Sequence, residues 1–157
     1  MEAREQIMLS QLEPSAVLPA RDIKRARTFY TEKLGLQPAE EREGELRFRA
    51  PSGASVLVYE TENAGTAKNT ALLWTTDDLP AEVARLRDAG VVFEEYDLPG
   101  LKTENGIATT DQERAAWFKD SEGNILCVAE ERVAEERVAE ERVAEERVAE
   151  ERVAEER

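Results

Sequence analysis

A chain of 157 residues with 21 Lys plus Arg against 35 Asp plus Glu carries a formal charge of −14; such a surface repels phosphate backbones and anionic headgroups and sets nucleic acid and membrane aside as partners. No stretch reaches the roughly 18–20 apolar residues that span a bilayer, and a single cysteine, Cys127, excludes an intramolecular disulfide and fits a reducing compartment. There is no histidine, so Ser-His or Cys-His nucleophile pairs and His-ligated metals are excluded, and any chemistry must run on carboxylates, Lys, Tyr, Cys or backbone donors.

Residues 1–14 form a charged N-terminal extension, with Glu2, Arg4, Glu5 and Glu13 interrupting any apolar run of signal-peptide length; a cytoplasmic location is expected. Ser15–Ala20 reads as a short strand. Asp22 follows as a helix cap, with Ile23, Ala26, Phe29, Tyr30 and Leu34 at helical spacing before a stop at Gly35. Three strand-like runs come next, Leu36–Glu40, Glu45–Ala50 and Ala54–Glu60, separated by the turn residues Glu43-Gly44 and Pro51-Ser-Gly53.

The pattern then restarts. Ala71–Thr76 is a strand, Asp77 or Asp78 caps, and Leu79, Val83, Leu86 and Ala89 make an apolar stripe ending at Gly90. Val91–Tyr96, Ala115–Lys119 and Asn124–Ala129 supply three more strands, and the stretch from Asp97 to Glu113 reads as a lid or binding loop. The order β-α-β-β-β is thus written twice, in 15–63 and 64–132. An α+β fold is expected, its paired modules forming a curved, eight-stranded mixed sheet around a cavity.

The tail, 133–157, is a separate object. From Val128 onward Val-Ala-Glu-Glu-Arg repeats six times without deviation, and the last five copies contribute −5, leaving −9 on the body. A five-residue period advances a net angle of about 140° around a helix, so the valines form no stripe and cannot dock. Ala, Glu and Arg are good helix formers, and an exposed charged helix without a role is the expectation.

The segment Asp22-Ile-Lys-Arg-Ala-Arg-Thr-Phe-Tyr-Thr-Glu-Lys-Leu-Gly35 resembles the first-helix signature of the vicinal oxygen chelate superfamily, which includes glyoxalase I, extradiol dioxygenases, fosfomycin-resistance enzymes and bleomycin-binding proteins. Trp117-Phe-Lys-Asp-Ser-Glu-Gly-Asn-Ile-Leu126 is similar to its closing strand-turn-strand. Family enzymes hold a metal on the inner face of the sheet. Carried over singly, those ligand positions fall on Ser15, Ala71, Cys127 and Val58, or on Glu60 if the match slides by two. That set is poor for a divalent ion, which wants several oxygens or about four N, S or O ligands. No metal and no cofactor are expected.

What the resemblance leaves is a cavity. Its expected wall is Ser15, Val17, Val58, Glu60, Ala71, Leu73 and Cys127, with Trp117 as an aromatic face and Trp74, at opposite parity, packed under a helix. One aromatic and one acid suit a planar or cationic organic molecule. Three readings follow. A metal-free protein that binds or sequesters a small molecule, in the manner of the bleomycin-resistance branch, ranks first. A glyoxalase-like lyase or isomerase using Glu60 as general base ranks second, and an accessory module with a closed core third. The resemblance also implies a homodimer.

Overall fold

The computed structural model describes residues 8–132 and 134–155. Residues 1–7 of the N-terminal extension, Val133 and the last two residues of the tail lie outside them. The first unit begins with β1 (Ser15–Ala20) and α1 (Ile23–Thr28), followed by β2 (Pro38–Arg42), β3 (Glu45–Arg49) and β4 (Ser55–Glu60). They form a four-stranded sheet in the order β1-β4-β3-β2, with β1 and β4 parallel. Alternation sets its faces: Leu46 and Phe48 of β3 go to the core while Glu45, Arg47 and Arg49 point the other way.

Asp22 caps α1, its Oδ1 accepting from the amides of Lys24 and Arg25. After six residues α1 widens into a π-helical turn, Phe29–Lys33, where a continuous α-helix is expected from the sequence. The wider turn places two successive aromatics inside, Phe29 and the fully buried Tyr30.

The second unit runs β5 (Thr70–Thr75), α2 (Leu79–Asp88), β6 (Asp97–Leu98), β7 (Leu101–Glu104), β8 (Ile107–Thr109), β9 (Glu113–Lys119) and β10 (Ile125–Glu131). Asp78 is the cap, accepting from the amide of Ala81. The sheet order is β5-β10-β9-β8-β7-β6.

Two expectations change here. Val91–Tyr96 is not a strand but an irregular segment with a single bridge, Phe93 to Phe118. The stretch expected to be a lid is sheet instead, folded back at Asn105-Gly106, which both take positive φ (51° and 79°). The described residues therefore hold mixed sheets of four and six strands where one eight-stranded sheet is expected.

One apolar core joins the two units. Leu18, Ala26, Tyr30, Phe48 and Val58 of the first meet Leu79, Val83, Phe118, Leu126 and Val128 of the second. The joint is the turn 120–124. Tyr30 Oη donates to Asp120 Oδ2 at 2.6 Å, Asn124 Nδ2 donates to the carbonyl of Pro19 at 2.9 Å, and Arg25 grips Glu122 with two bonds of 2.8 and 3.0 Å. Beyond β10, α3 (Ala134–Glu155) is one charged helix whose valines 138, 143, 148 and 153 are all exposed. No helix among the described residues is long and apolar enough to cross a membrane.

Candidate functional site

Each sheet packs one face against the core and presents the other away from the helices. On the first sheet that outer face is built from the odd positions of β1 and β4. Val17 pairs with Leu57 and Ser15 with Ser55 in parallel register, and Leu57 pairs in turn with Arg47 of β3. The hydroxyls of Ser15 and Ser55 lie 2.6 Å apart, and Arg47 Nη1 donates to them at 3.1 and 3.0 Å. Glu40 of β2, opposite Arg47, bonds Arg49 at 2.9 Å. Arg49, first among its charged neighbours, holds the Glu40 carboxyl below its usual range.

On the second sheet Leu73, Cys127 and Trp117 stand in one row across β5, β10 and β9. Ala115 and Ala129 flank buried Cys127, and Trp117 packs over the three. The Trp117 indole N–H donates to Thr70 Oγ1 at 3.2 Å, and Tyr96 meets the ring edge-on with centroids 5.8 Å apart. Burial, and then the nearby Glu113, push the Cys127 thiol up to about 11, so it stays protonated at neutral pH and is a poor nucleophile.

The residues expected to line the cavity are thus divided. Ser15 and Val17 lie on the outer face of the first sheet and Leu73, Trp117 and Cys127 on that of the second, while Ala71 falls at the register shift of β5 against β10 and is paired with no residue of β10. Val58 and Glu60 do not join them. Val58 is 1% exposed inside the core, and Glu60, at the same parity, turns its carboxylate toward the Ile23 amide at 3.4 Å. The reason is register: β4 shows Ser55, Leu57 and Tyr59 on the side where β1 shows Ser15 and Val17, and a one-residue slip in parity exchanges faces. Ser55, Arg47 and Tyr96 are additions. The signal for Arg47 was present in the alternation of Leu46 and Phe48, whereas Ser55 needed the strand pairing.

Trp74 packs against the core as expected. It lines a pocket of about 260 Å³ between the end of the π-helical turn and α2, together with Leu36, Leu86, Phe118 and Val128. That pocket lies on the helix side and includes none of the expected wall residues.

The metal-ligand positions do not suit a cation. Ser15 already faces the Arg47 guanidinium, Ala71 has no donor, the Cys127 thiol is protonated, and Val58 and Glu60 belong to the other face. Among the described residues no three His, Cys, Asp or Glu side chains cluster to hold a metal.

No curated protein sequence matches the chain. TnmS3, an antibiotic-binding protein from a Streptomyces species, shares 24% identity, covering 77% of this chain and 98% of its own, with a TM-score of 0.59. A glyoxalase/bleomycin resistance protein from Catenulispora acidiphila shares 23% identity over 76% of this chain and 97% of its own, with a TM-score of 0.54. A glyoxalase/bleomycin resistance protein/dioxygenase from Alicyclobacillus acidocaldarius shares 16% over 80% and 95%, with a TM-score of 0.58. At these identities the likeness concerns the fold. The sequence profile of the Glyoxalase/Bleomycin resistance protein/Dioxygenase superfamily matches residues 14–128, and the chain belongs to that superfamily.

Proposed function

We propose that this chain is a cytoplasmic, metal-free binding protein that sequesters a small planar organic molecule without transforming it. The observation that carries the reading is the second-sheet face, where Ala115, Cys127 and Ala129 make a floor of small residues beside Trp117 and Tyr96. A flat ligand gains from such a surface by stacking on Trp117, which itself covers the buried small residues beneath it.

The site is completed by a second copy of the chain. Both outer faces are half-sites that leave apolar side chains in solvent, Val17 at 54%, Leu73 at 52% and Tyr59 at 39% exposure. β1 and β5 are also sheet-edge strands, and unpaired edges seek partners. Pairing the first-sheet face of one copy with the second-sheet face of its partner covers all of these at once.

The enzyme reading draws no support from Glu60, whose carboxylate faces the start of α1. A titration of the full chain with a panel of planar aromatics tests the proposal, with calorimetry as readout and mass spectrometry of the recovered compound. The expected result is saturable binding and an unchanged ligand mass. Turnover of a bound compound, or no saturable binding across the panel, overturns it.

A further inference from the structure

The sequence points to a planar or cationic ligand, with Glu60 as its acidic partner. The charge on the outer face of the first sheet is of the opposite sign. Glu60 lies on the helix side, and at the centre of the outer face stands Arg47, its side chain only 25% exposed. Its Nη1 is committed to the hydroxyls of Ser15 and Ser55 at 3.1 and 3.0 Å. Those bonds use the two N–H groups of one nitrogen and leave the edge formed by Nε and Nη2. Glu40 Oε2 forms a long ion pair with Nε at 3.9 Å, outside hydrogen-bond range, and its other oxygen is bound by Arg49, so a ligand carboxylate would take this edge by displacing Glu40 toward Arg49. No other acceptor for Nε or Nη2 is found among the described residues.

We propose that this edge of Arg47 binds the carboxylate of the ligand, so that the molecule taken by the site is a planar aromatic anion. The inference rests on the ligand-binding reading above and names its substrate class. A guanidinium edge matches a carboxylate bidentately through two parallel N–H bonds, with a strength and direction that an ammonium lacks.

Holding Nη1 in place on two hydroxyls fixes the plane of the fork before the ligand arrives, which lowers the ordering cost of binding. A small hollow of about 70 Å³ adjoins it, lined by Glu40, Arg42, Glu45, Arg47 and Leu57. The charges on this face are Arg42, Arg47 and Arg49 against Glu40 and Glu45. This face thus carries one net positive charge on a chain of −14 overall. Because the long-range field repels anions, the preference must come from short-range, desolvated contact.

Three probes on one naphthalene ring test it by calorimetry on the full chain at neutral pH: 2-naphthoate, its isostere 2-naphthamide, and the cation 2-naphthylmethylammonium. The expected result is 2-naphthoate tighter than the amide by about tenfold, as one charge-assisted bidentate contact implies, with the ammonium weakest. Arg47→Gln brings the carboxylate and amide affinities together, and Arg47→Lys restores part of the gap. If Arg47→Gln does not fold, the Ser15→Ala, Ser55→Ala double variant narrows the same ratio by releasing the guanidinium. Equal affinities for the three probes, a preference for the ammonium, or a ratio unmoved by these variants overturns the assignment while leaving the binding reading intact. No saturable heat from any probe overturns both.

Discussion

At Glu122 a fully buried carboxylate accepts hydrogen bonds from Arg25, from the amides of Arg21 and Asp22 and from the hydroxyl of Ser121. Burial alone would raise its pKa, but these donors and the Arg25 charge outweigh it and hold the group at about 2 against an ordinary 4.5. A depressed folded pKa means stability that is present in full above pH 4.5 and lost as pH falls toward 2. Glu122→Ala strands several donors at the joint between the two units and is expected to cost about 3 kcal/mol at neutral pH. Glu122→Gln keeps the shape and one acceptor, and costs less. Urea unfolding from pH 7 to 2 checks the sign, since the gap between wild type and Glu122→Gln should close across the acid range. A gap that stays constant with pH would show that charge plays no part.

Residue pairing of this kind also explains what the sequence could tell. The two segments that carried the family resemblance touch one another, Tyr30 to Asp120 and Arg25 to Glu122. They are a structural joint, so they spoke clearly about fold and hardly at all about chemistry. Glu60, reached by sliding the family match by two, lies on the helix side, because the face of a strand is decided by a pairing that the match does not contain.

Among the elements, the caps, the helices and most strands were legible from apolar period and turn residues. The hairpin at Asn105-Gly106 had a local signal as well, since that dipeptide favours the positive φ a tight turn demands. It was masked by the polar residues around it, Lys102, Glu104 and Thr103, which read as loop.

A β-carbon on Gly106 would meet Phe93 Cβ at 2.9 Å and Arg87 Nη2 at 3.0 Å, at φ +79°. Arg87 can swing aside, but Phe93 packs edge-on against Phe118. Gly106→Ala is therefore expected to cost about 2–3 kcal/mol from strain plus clash. Gly35→Ala, at φ +70° with open space around it, should cost only about 1–2 kcal/mol. Equal losses in urea denaturation would rule out the Phe93 contact as a constraint. The charged tail is the converse case: valines 138, 143, 148 and 153 are exposed and belong to no core cluster, so removal of residues 133–157 should lower the helical circular dichroism and leave the unfolding midpoint where it was.

At the scale of the whole molecule, the pairing of half-sites can be tested without knowing the ligand. The first-sheet face carries Arg47 and the second-sheet face carries Trp117, and both belong to every copy. If one site is built from both faces of a single chain, Arg47→Gln and Trp117→Ala proteins are each defective, and mixing them restores nothing. If each site joins the first-sheet face of one copy to the second-sheet face of its partner, a mixed dimer holds one site with both defects and one with neither. Random reassembly at equal amounts then returns about a quarter of all sites to wild-type affinity for 2-naphthoate, since about half the dimers are mixed. The stoichiometry of tight binding by calorimetry reads this directly after dissociation and reassociation. Val17→Asp supplies the control: if the two faces pair between copies, a charge on the exposed edge strand β1 should keep the copies apart as folded monomers and abolish the restored fraction. No restoration in the Val17 background would place the site within one chain and leave the exposed Val17 and Leu73 without a partner, whereas restoration that persists in the Val17→Asp background would show that copies share the site without pairing through β1.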